Sequence, residues 1–178
     1  MAKRIITISR EFGSGGRFIG GEVAKKLGIA YYDKEMIGQI AEQAGLSSAY
    51  VRENAELSPK KGWFAYAFSG RDITGKSVED MVYEAQRKVI MEIAEKENCV
   101  IVGRNADFIL KDRKDVLNVF IHGSIPEKVR RICSLYNVTE VDAIKMINDI
   151  DKRRRTNYNF YTEQKWGMAE NYTMSLNS

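Results

Sequence analysis

The sequence predicts an α/β fold in which helices flank a five-stranded parallel sheet in three layers. Short β-branched apolar runs recur along the chain, and stretches of helical periodicity ten or more residues long separate them. A glycine cluster, Gly13-Ser14-Gly15-Gly16, directly follows the first run. Strands joined through helices favour parallel pairing, because a parallel connection must cross the sheet. The chain has 178 residues, 44% of them apolar and only 2 prolines, which fits one domain built on one core.

Ile5 to Ile8 reads as a buried strand, and the glycine cluster stops it. Ile19, Val23 and Leu27 then share one helix face, opposite Glu22, Lys25 and Lys26, and Gly28 ends the helix. Ala30 to Tyr32 is the second strand, closed by Asp33. Met36 to Leu57 is helical and broken near Gly45, with Ser47 or Ser48 as a cap. Ser58 to Lys76 carries Pro59, three glycines and the rings of Trp63, Phe64, Tyr66 and Phe68, and reads as a mobile segment around a short helix. Ser77 to Asp80 opens the next helix as a capping box. Cys99 to Val102 and Val116 to Ile121 are the third and fourth strands. Ser124 to Glu127 caps a helix running to about Tyr136, and Thr139 to Asp142 opens another that ends in the basic run Lys152 to Arg155. Asn157 to Asn171 lies within the domain, because an alternating segment, Tyr172 to Leu176, follows as a last strand.

Composition removes several classes of function. With 28 basic and 24 acidic residues the net charge is only +4, little for a protein that grips nucleic acid through many phosphates. Cys99 and Cys133 form no CxxC pair, and His122 is the only histidine, so zinc sites built on several imidazoles or thiolates are excluded. No run approaches the roughly 18 apolar residues of a membrane span, and the N-terminus has no signal-peptide shape. A cytoplasmic protein with no membrane partner is expected.

Ligands of open parallel sheets bind beyond the carboxyl ends of the strands. Gly13 to Arg17, Gly103-Arg104 and His122-Gly123 all fall there. A strand, a glycine-rich loop and a helix in that order aim backbone N–H groups at a phosphate. The spacing of a Walker A loop, GxxxxGK[ST], is not met.

Ser9 to Arg17, Leu27-Gly28, Tyr31-Tyr32-Asp33 and Cys99 to Arg104 resemble the cytidylate kinase-like family, and the similarity extends over Trp166 and Asn171 to Asn177. That resemblance implies a P-loop kinase-like fold, with residues 34–76 as a helical acceptor-binding insert and 137–171 as a helical lid. It implies ATP as donor, Mg²⁺, and a small-molecule or nucleotide acceptor such as CMP. Gly13, Ser14, Gly15, Gly16 and Arg17 would cradle the donor, and Asp33 and Arg104 would hold the acceptor. Arg17, Arg153, Arg154 and Arg155 would neutralise charge during transfer. Set against true cytidylate kinases, Gly16 stands at the catalytic lysine and Phe18 at the threonine that holds the metal. Asn105 replaces the aspartate after Gly103-Arg104. The metal ligands are unassigned, with Ser14 and Asp33 as candidates. A homo-oligomer is compatible with the sequence.

Two other readings remain open. A nucleotide-binding sensor or regulator without catalysis suits the missing lysine and hydroxyl. An RNA-interacting module would use Tyr158, Phe160, Tyr161 and Trp166 among basic residues as stacking rings. His122 is expected as a rim residue rather than a base.

Overall fold

The computed structural model describes residues 4–33, 36–49, 51, 57 and 77–178. The cluster of Trp63, Phe64, Tyr66 and Phe68, and most of the expected acceptor insert, lie outside them.

All five strands pair in parallel. They are β1 (Ile5–Arg10), β2 (Ala30–Tyr32), β3 (Cys99–Val102), β4 (Val116–His122) and β5 (Met174–Asn177), in the order β2-β3-β1-β4-β5. The first strand is therefore central, and the loop that leaves it emerges between the two halves of the sheet. The helices are α1 (Gly16–Leu27), α2 (Met36–Ala44), α3 (Val78–Lys96), α4 (Ala106–Ile109), α5 (Ile125–Tyr136) and α6 (Glu140–Thr162).

Strand parity divides the core into two layers. Val100 and Val102 meet Ile8, Val119 and Ile121 under α1, with Ile19 and Val23 completing that side. Cys99 and Ile101 join Ile5 under α2 and α3, against Met36, Ile40, Val89, Ile90 and Ile93. A third cluster, Val129, Ile132, Ala143 and Ile147, welds α5 to α6 beside Phe12 of the glycine loop.

The caps follow the sequence. Ser77 and Asp80 form a reciprocal capping box, and Ser124 and Thr139 accept from Glu127 N and Asp142 N. One boundary differs. Helix α6 does not end at Arg155 but continues to Thr162, so Lys152 to Arg155 lie inside it. No proline or glycine follows until Gly167, and Asn157 and Tyr158 extend the buried stripe of Ile147, Asp151 and Arg154 by another turn. A helix-end dipole therefore does not account for these basic residues.

Helix α1 approaches the sheet closely because of Gly20. A Cβ there would lie 3.0 Å from Ile8 Cδ1 and 3.2 Å from Val102 Cγ2. Gly20→Leu is expected to overpack this contact by about 1–3 kcal/mol. Denaturant unfolding followed by circular dichroism measures the loss, and unchanged stability would show that α1 can move off the sheet without penalty.

Candidate functional site

Residues 11–15 join β1 to α1, and the chain turns there through the left-handed region at Gly13 (φ 83°) and Gly15 (φ 75°). Gly13 is also a close-approach position, since a Cβ would sit 3.1 Å from both Ile132 and Lys128. Neighbouring elements hold the loop from outside. Arg131 of α5 donates to Gly13 O, and Ser178 Oγ donates to Ser14 O at 2.7 Å. Asp151 of α6 accepts from Phe12 N at 2.7 Å. The Glu11 carboxylate takes the buried Lys128 ammonium at 2.8 Å and Gly123 N at 3.2 Å. Ser14 is fully buried, and its hydroxyl donates within the loop to Glu11 O.

Helix α1 begins at this loop with Gly15 as N-cap, no side-chain cap and no acidic residue in its first turn. First-turn N–H groups have no acceptor within a helix, and its N-terminal end carries partial positive charge. They face a cavity of about 340 Å³. Its polar wall includes Arg10, Arg17, Arg131 and Arg154, and its apolar wall Phe12, Phe18, Leu135 and Tyr136. Phe18 is 73% exposed, unusual for a phenylalanine beside a phosphate-type loop.

At the end of β3, Arg104 and Asn105 both adopt left-handed backbone, with φ 59° and 55°. Such residues store strain that the surroundings must fix. Gln86 donates to Arg104 O at 2.8 Å, and Asn105 donates to Asn157 Oδ1 at 3.2 Å. The Arg104 side chain is 5% exposed, and its Nε donates to Asp33 O at 3.4 Å. Its Nη1 is buried with no hydrogen-bond partner among the described residues. Burial lowers its pKa to about 10. The Asp33 carboxylate pairs with Arg17 Nε at 3.0 Å and, against the larger effect of burial, raises the pKa of Arg104, Arg10 and Arg154 through its charge.

Arg154 donates to Arg10 O at 3.2 Å and lies 3.6 Å from Asp151. Burial is the main cause that lowers its pKa to about 10. Arg10 is 3% exposed, and burial, then Arg154 and Arg17, push its pKa well below the usual guanidinium value. Both Arg10 and Arg154 also line a second cavity of about 10 Å³, where they meet Arg104. That is room for about one water.

The structure thus brings Gly13, Ser14, Gly15, Gly16, Arg17, Asp33, Arg104 and Arg154 to one end of the sheet. Arg153 lies 4.0 Å from Asp149, and Arg155 sits over the Trp166 ring at 5.9 Å. Neither lines these two cavities, although Trp166 lines the second. His122 is a rim residue, half-buried beside Phe120. Tyr158 is buried and Trp166 packs edge-on against Phe120, so of the four proposed stacking rings only Phe160 is largely exposed. Sequence reasoning missed the site roles of Arg10, Lys128 and Asp151. Arg130 and Arg131 separate cleanly: Arg130 pairs with Glu127 on the surface while Arg131 turns to the loop.

The residues that hold magnesium next to a P-loop are not reproduced. Phe18 offers no oxygen, and Ser14 turns its hydroxyl into the loop. Among the described residues no group of three or more His, Cys, Asp or Glu could hold a metal ion. The Asp33 carboxylate is paired with Arg17. Among the described residues neither candidate, Ser14 nor Asp33, therefore fits a protein-held Mg²⁺, whereas the glycine cradle and the arginines fit the phosphates of a nucleotide.

A five-stranded parallel sheet with a glycine loop after its central strand is the architecture of P-loop kinases. The fold matches shikimate kinase from Acinetobacter baumannii, solved with shikimate, at a TM-score of 0.52 and 15% identity, covering 99% of this chain and 84% of that one. It also matches a gluconokinase from Sinorhizobium meliloti at 0.52 and 12% identity, covering 99% and 82%. The chain belongs to the cytidylate kinase-like family, whose model matches residues 5–178. An uncharacterized protein from Eubacterium ventriosum is similar at 29% identity and a TM-score of 0.74, covering 98% of this chain and 88% of that one. No curated protein matches the chain. Among the described residues no helix is long and apolar enough to cross a membrane.

Behind the site, Asp107 is buried and accepts from Ser9 Oγ at 3.1 Å and Tyr158 Oη at 2.7 Å. Burial outweighs these bonds and raises its pKa above the usual carboxylate range. A raised carboxyl pKa means that its ionisation opposes folding, so stability from this group is lost as pH rises through the raised value. Asp107→Asn is therefore expected to melt higher than the parent at pH 8, by about 2–4 °C for each kcal/mol removed. The difference should close as pH falls toward 4. Equal melting curves at pH 8 would show that the carboxylate is fully compensated.

Proposed function

We propose that the protein is a phosphotransferase that moves the γ-phosphoryl of ATP to a small acceptor, with CMP the first acceptor to test. The observation that carries this reading is the uncapped N-terminus of α1, which opens with four arginines onto one cavity at the end of the central strand. Gly13, Ser14, Gly15, Gly16 and Arg17 would cradle the donor phosphates through backbone N–H groups and one guanidinium. Arg104, its Nη1 buried without a partner among the described residues, would bind the acceptor's anionic group, with Asp33 orienting it. Segment 137–171 would contribute Arg154 from within α6. Of the three neighbouring arginines we retain Arg154 alone for catalysis, because only it lines the cavities.

Phosphoryl transfer needs positioning and charge stabilisation more than a nucleophilic side chain. The arginines supply fixed positive charge where the transferring group carries three oxygens. Magnesium would travel on ATP through phosphate oxygens and water, and no step runs through a protein ligand to it. The donor base would lie against Phe18, whose exposed ring stands at the mouth of the cavity.

A second reading, nucleotide binding without transfer, is favoured by Gly16 and Phe18 at the positions of the lysine and the metal-binding hydroxyl. ADP release from ATP–Mg²⁺ against a panel of nucleoside monophosphates separates the two. Acceptor-dependent turnover is expected, and Gly15→Val or Arg104→Met should lower kcat/KM by about 10²–10³. ATP binding by calorimetry with no turnover on any acceptor would establish the second reading instead. In the same titrations Phe18→Ala should weaken ATP by about tenfold, the loss of one base–aromatic stack. Unchanged affinity would place the base elsewhere.

A further inference from the structure

The loop lysine of true cytidylate kinases is missing here, yet the space where its side chain would begin is filled. A Cβ on Gly16 would fall 2.6 Å from Arg10 Cβ and 2.9 Å from Arg10 Cγ, which no real pair of carbons tolerates. Gly16 is thus small because Arg10 runs past it. Arg10 belongs to β1, and alternation puts its side chain on the α1 face with Ile8. It emerges under the glycine loop, six residues before the position a lysine would occupy.

The two cavities give Arg10 its second qualification. The larger one is enclosed by the glycine loop and the start of α1, and the smaller one by Gly103, Arg104 and Asn105. Arg10 and Arg154 are the residues that line both. A donor at the loop and an acceptor at Arg104 would lie on either side of the wall that these two side chains share. The smaller cavity, with room for about one water, would have to widen to admit the acceptor's anionic group. Arg104 Nη1, buried and without a partner among the described residues, would mark the acceptor side of that wall.

We infer that Arg10 is a catalytic residue that takes the place of the absent loop lysine and contacts the phosphoryl group in transit. The inference rests on the phosphotransfer reading above. With a nucleoside monophosphate as acceptor, a phosphate oxygen of the acceptor forms the new P–O bond. The bond from the γ-phosphorus to the bridging oxygen breaks, and ADP leaves with that electron pair. No proton moves, and Arg10 keeps its charge and donates N–H groups to the oxygens of the transferring group. A guanidinium offers planar, two-pronged donation that a lysine ammonium does not. Asp33 stands within electrostatic reach of Arg10, Arg104 and Arg154, and pairs with Arg17.

The test uses the full chain with Arg10→Met, Arg10→Lys and, as a surface control, Arg130→Met. Inorganic tripolyphosphate, read by thermal shift, probes the site without a base or an acceptor, and ADP release reads transfer. Tripolyphosphate should stabilise the parent protein and Arg130→Met equally, and Arg10→Met should bind it at least tenfold more weakly. For transfer, Arg10→Met should lose about 10²–10³ in kcat with a smaller change in KM for ATP. Arg10→Lys should recover at least tenfold of that loss, which a purely structural role would not give. Should Arg10→Met fail to fold, Arg10→Gln takes its place with the same expectations, and parent-level kcat in folded Arg10→Gln overturns the inference. Full kcat in folded Arg10→Met, or no response of the parent to tripolyphosphate, also overturns it. If the parent responds to tripolyphosphate through Arg10 but transfers to no acceptor, the phosphotransfer reading fails while the anion contact of Arg10 stands.

Discussion

The glycine loop is held by side chains of the C-terminal half, and the arrangement of that half follows from this constraint. Arg131 and Ser178 take its carbonyls, Asp151 takes Phe12 N, and Lys128 takes the Glu11 carboxylate. These groups come from α5, from α6 and from the residue after β5, elements far apart in sequence. Charge-assisted bonds of this kind contribute about 1.5–3 kcal/mol each, enough to fix a loop that two left-handed glycines would otherwise leave loose. With carbonyls engaged outward, the first N–H groups of α1 are left to face the cavity. The third apolar cluster, which joins α5 to α6 beside Phe12, gives these anchors a rigid base.

Inside that frame the site concentrates positive charge where water is scarce. Arg10, Arg104 and Arg154 are each less than a tenth exposed, and burial is the leading cause lowering the pKa of all three. Desolvated cations are expensive for a fold unless counter-charge is near. Asp33 and Asp151 supply part of it, Asp33 through Arg17 and Asp151 beside Arg154 and Lys128. A polyanionic ligand would supply more, which is the usual relation between a strained, charged site and the ligand it is shaped to receive. The same reasoning explains the two left-handed residues at Arg104 and Asn105, because a strained turn persists where it aims a side chain.

Much of this was legible in the sequence. Apolar runs located β1, β3 and β4, since β-branched residues buried on both sheet faces leave few alternatives for strands such as Cys99 to Val102. Strand β5 was located by alternation over Tyr172 to Leu176, although Met174–Asn177 is exposed. Serine and threonine followed by an acidic residue located the starts of α3, α5 and α6. The end of α6 was not legible, because the basic run looked like a helix terminus and the packing of Asn157 and Tyr158 is a tertiary fact. In the site, glycines and the arginine after β3 could be picked out locally. Arg154 could not be separated from Arg153 and Arg155 without the helix face, nor Arg131 from Arg130. Lys128 and Asp151 are ordinary charged residues on helices until the loop is seen lying between them.

Arg10 shows why the loop was harder to read than the strands. An apolar run ending at Ile8 makes Ser9 and Arg10 look like the start of a loop, whereas the strand continues through Arg10 in register with Ile121. Comparison along the chain places Gly16 opposite a lysine and records a loss. In space, the glycine and the arginine form one unit, since the absence of a side chain at position 16 is what admits Arg10 beneath the loop. Loop and strand end can therefore exchange the duty of carrying a cation while the backbone cradle stays the same. Phe18, released from holding a metal, is free to be an exposed ring at the cavity mouth. On the inference that Arg10 contacts the phosphoryl group, the departures at Gly16 and Phe18 read as one coordinated change in how charge would be delivered to a phosphate, not as the decay of two separate functions.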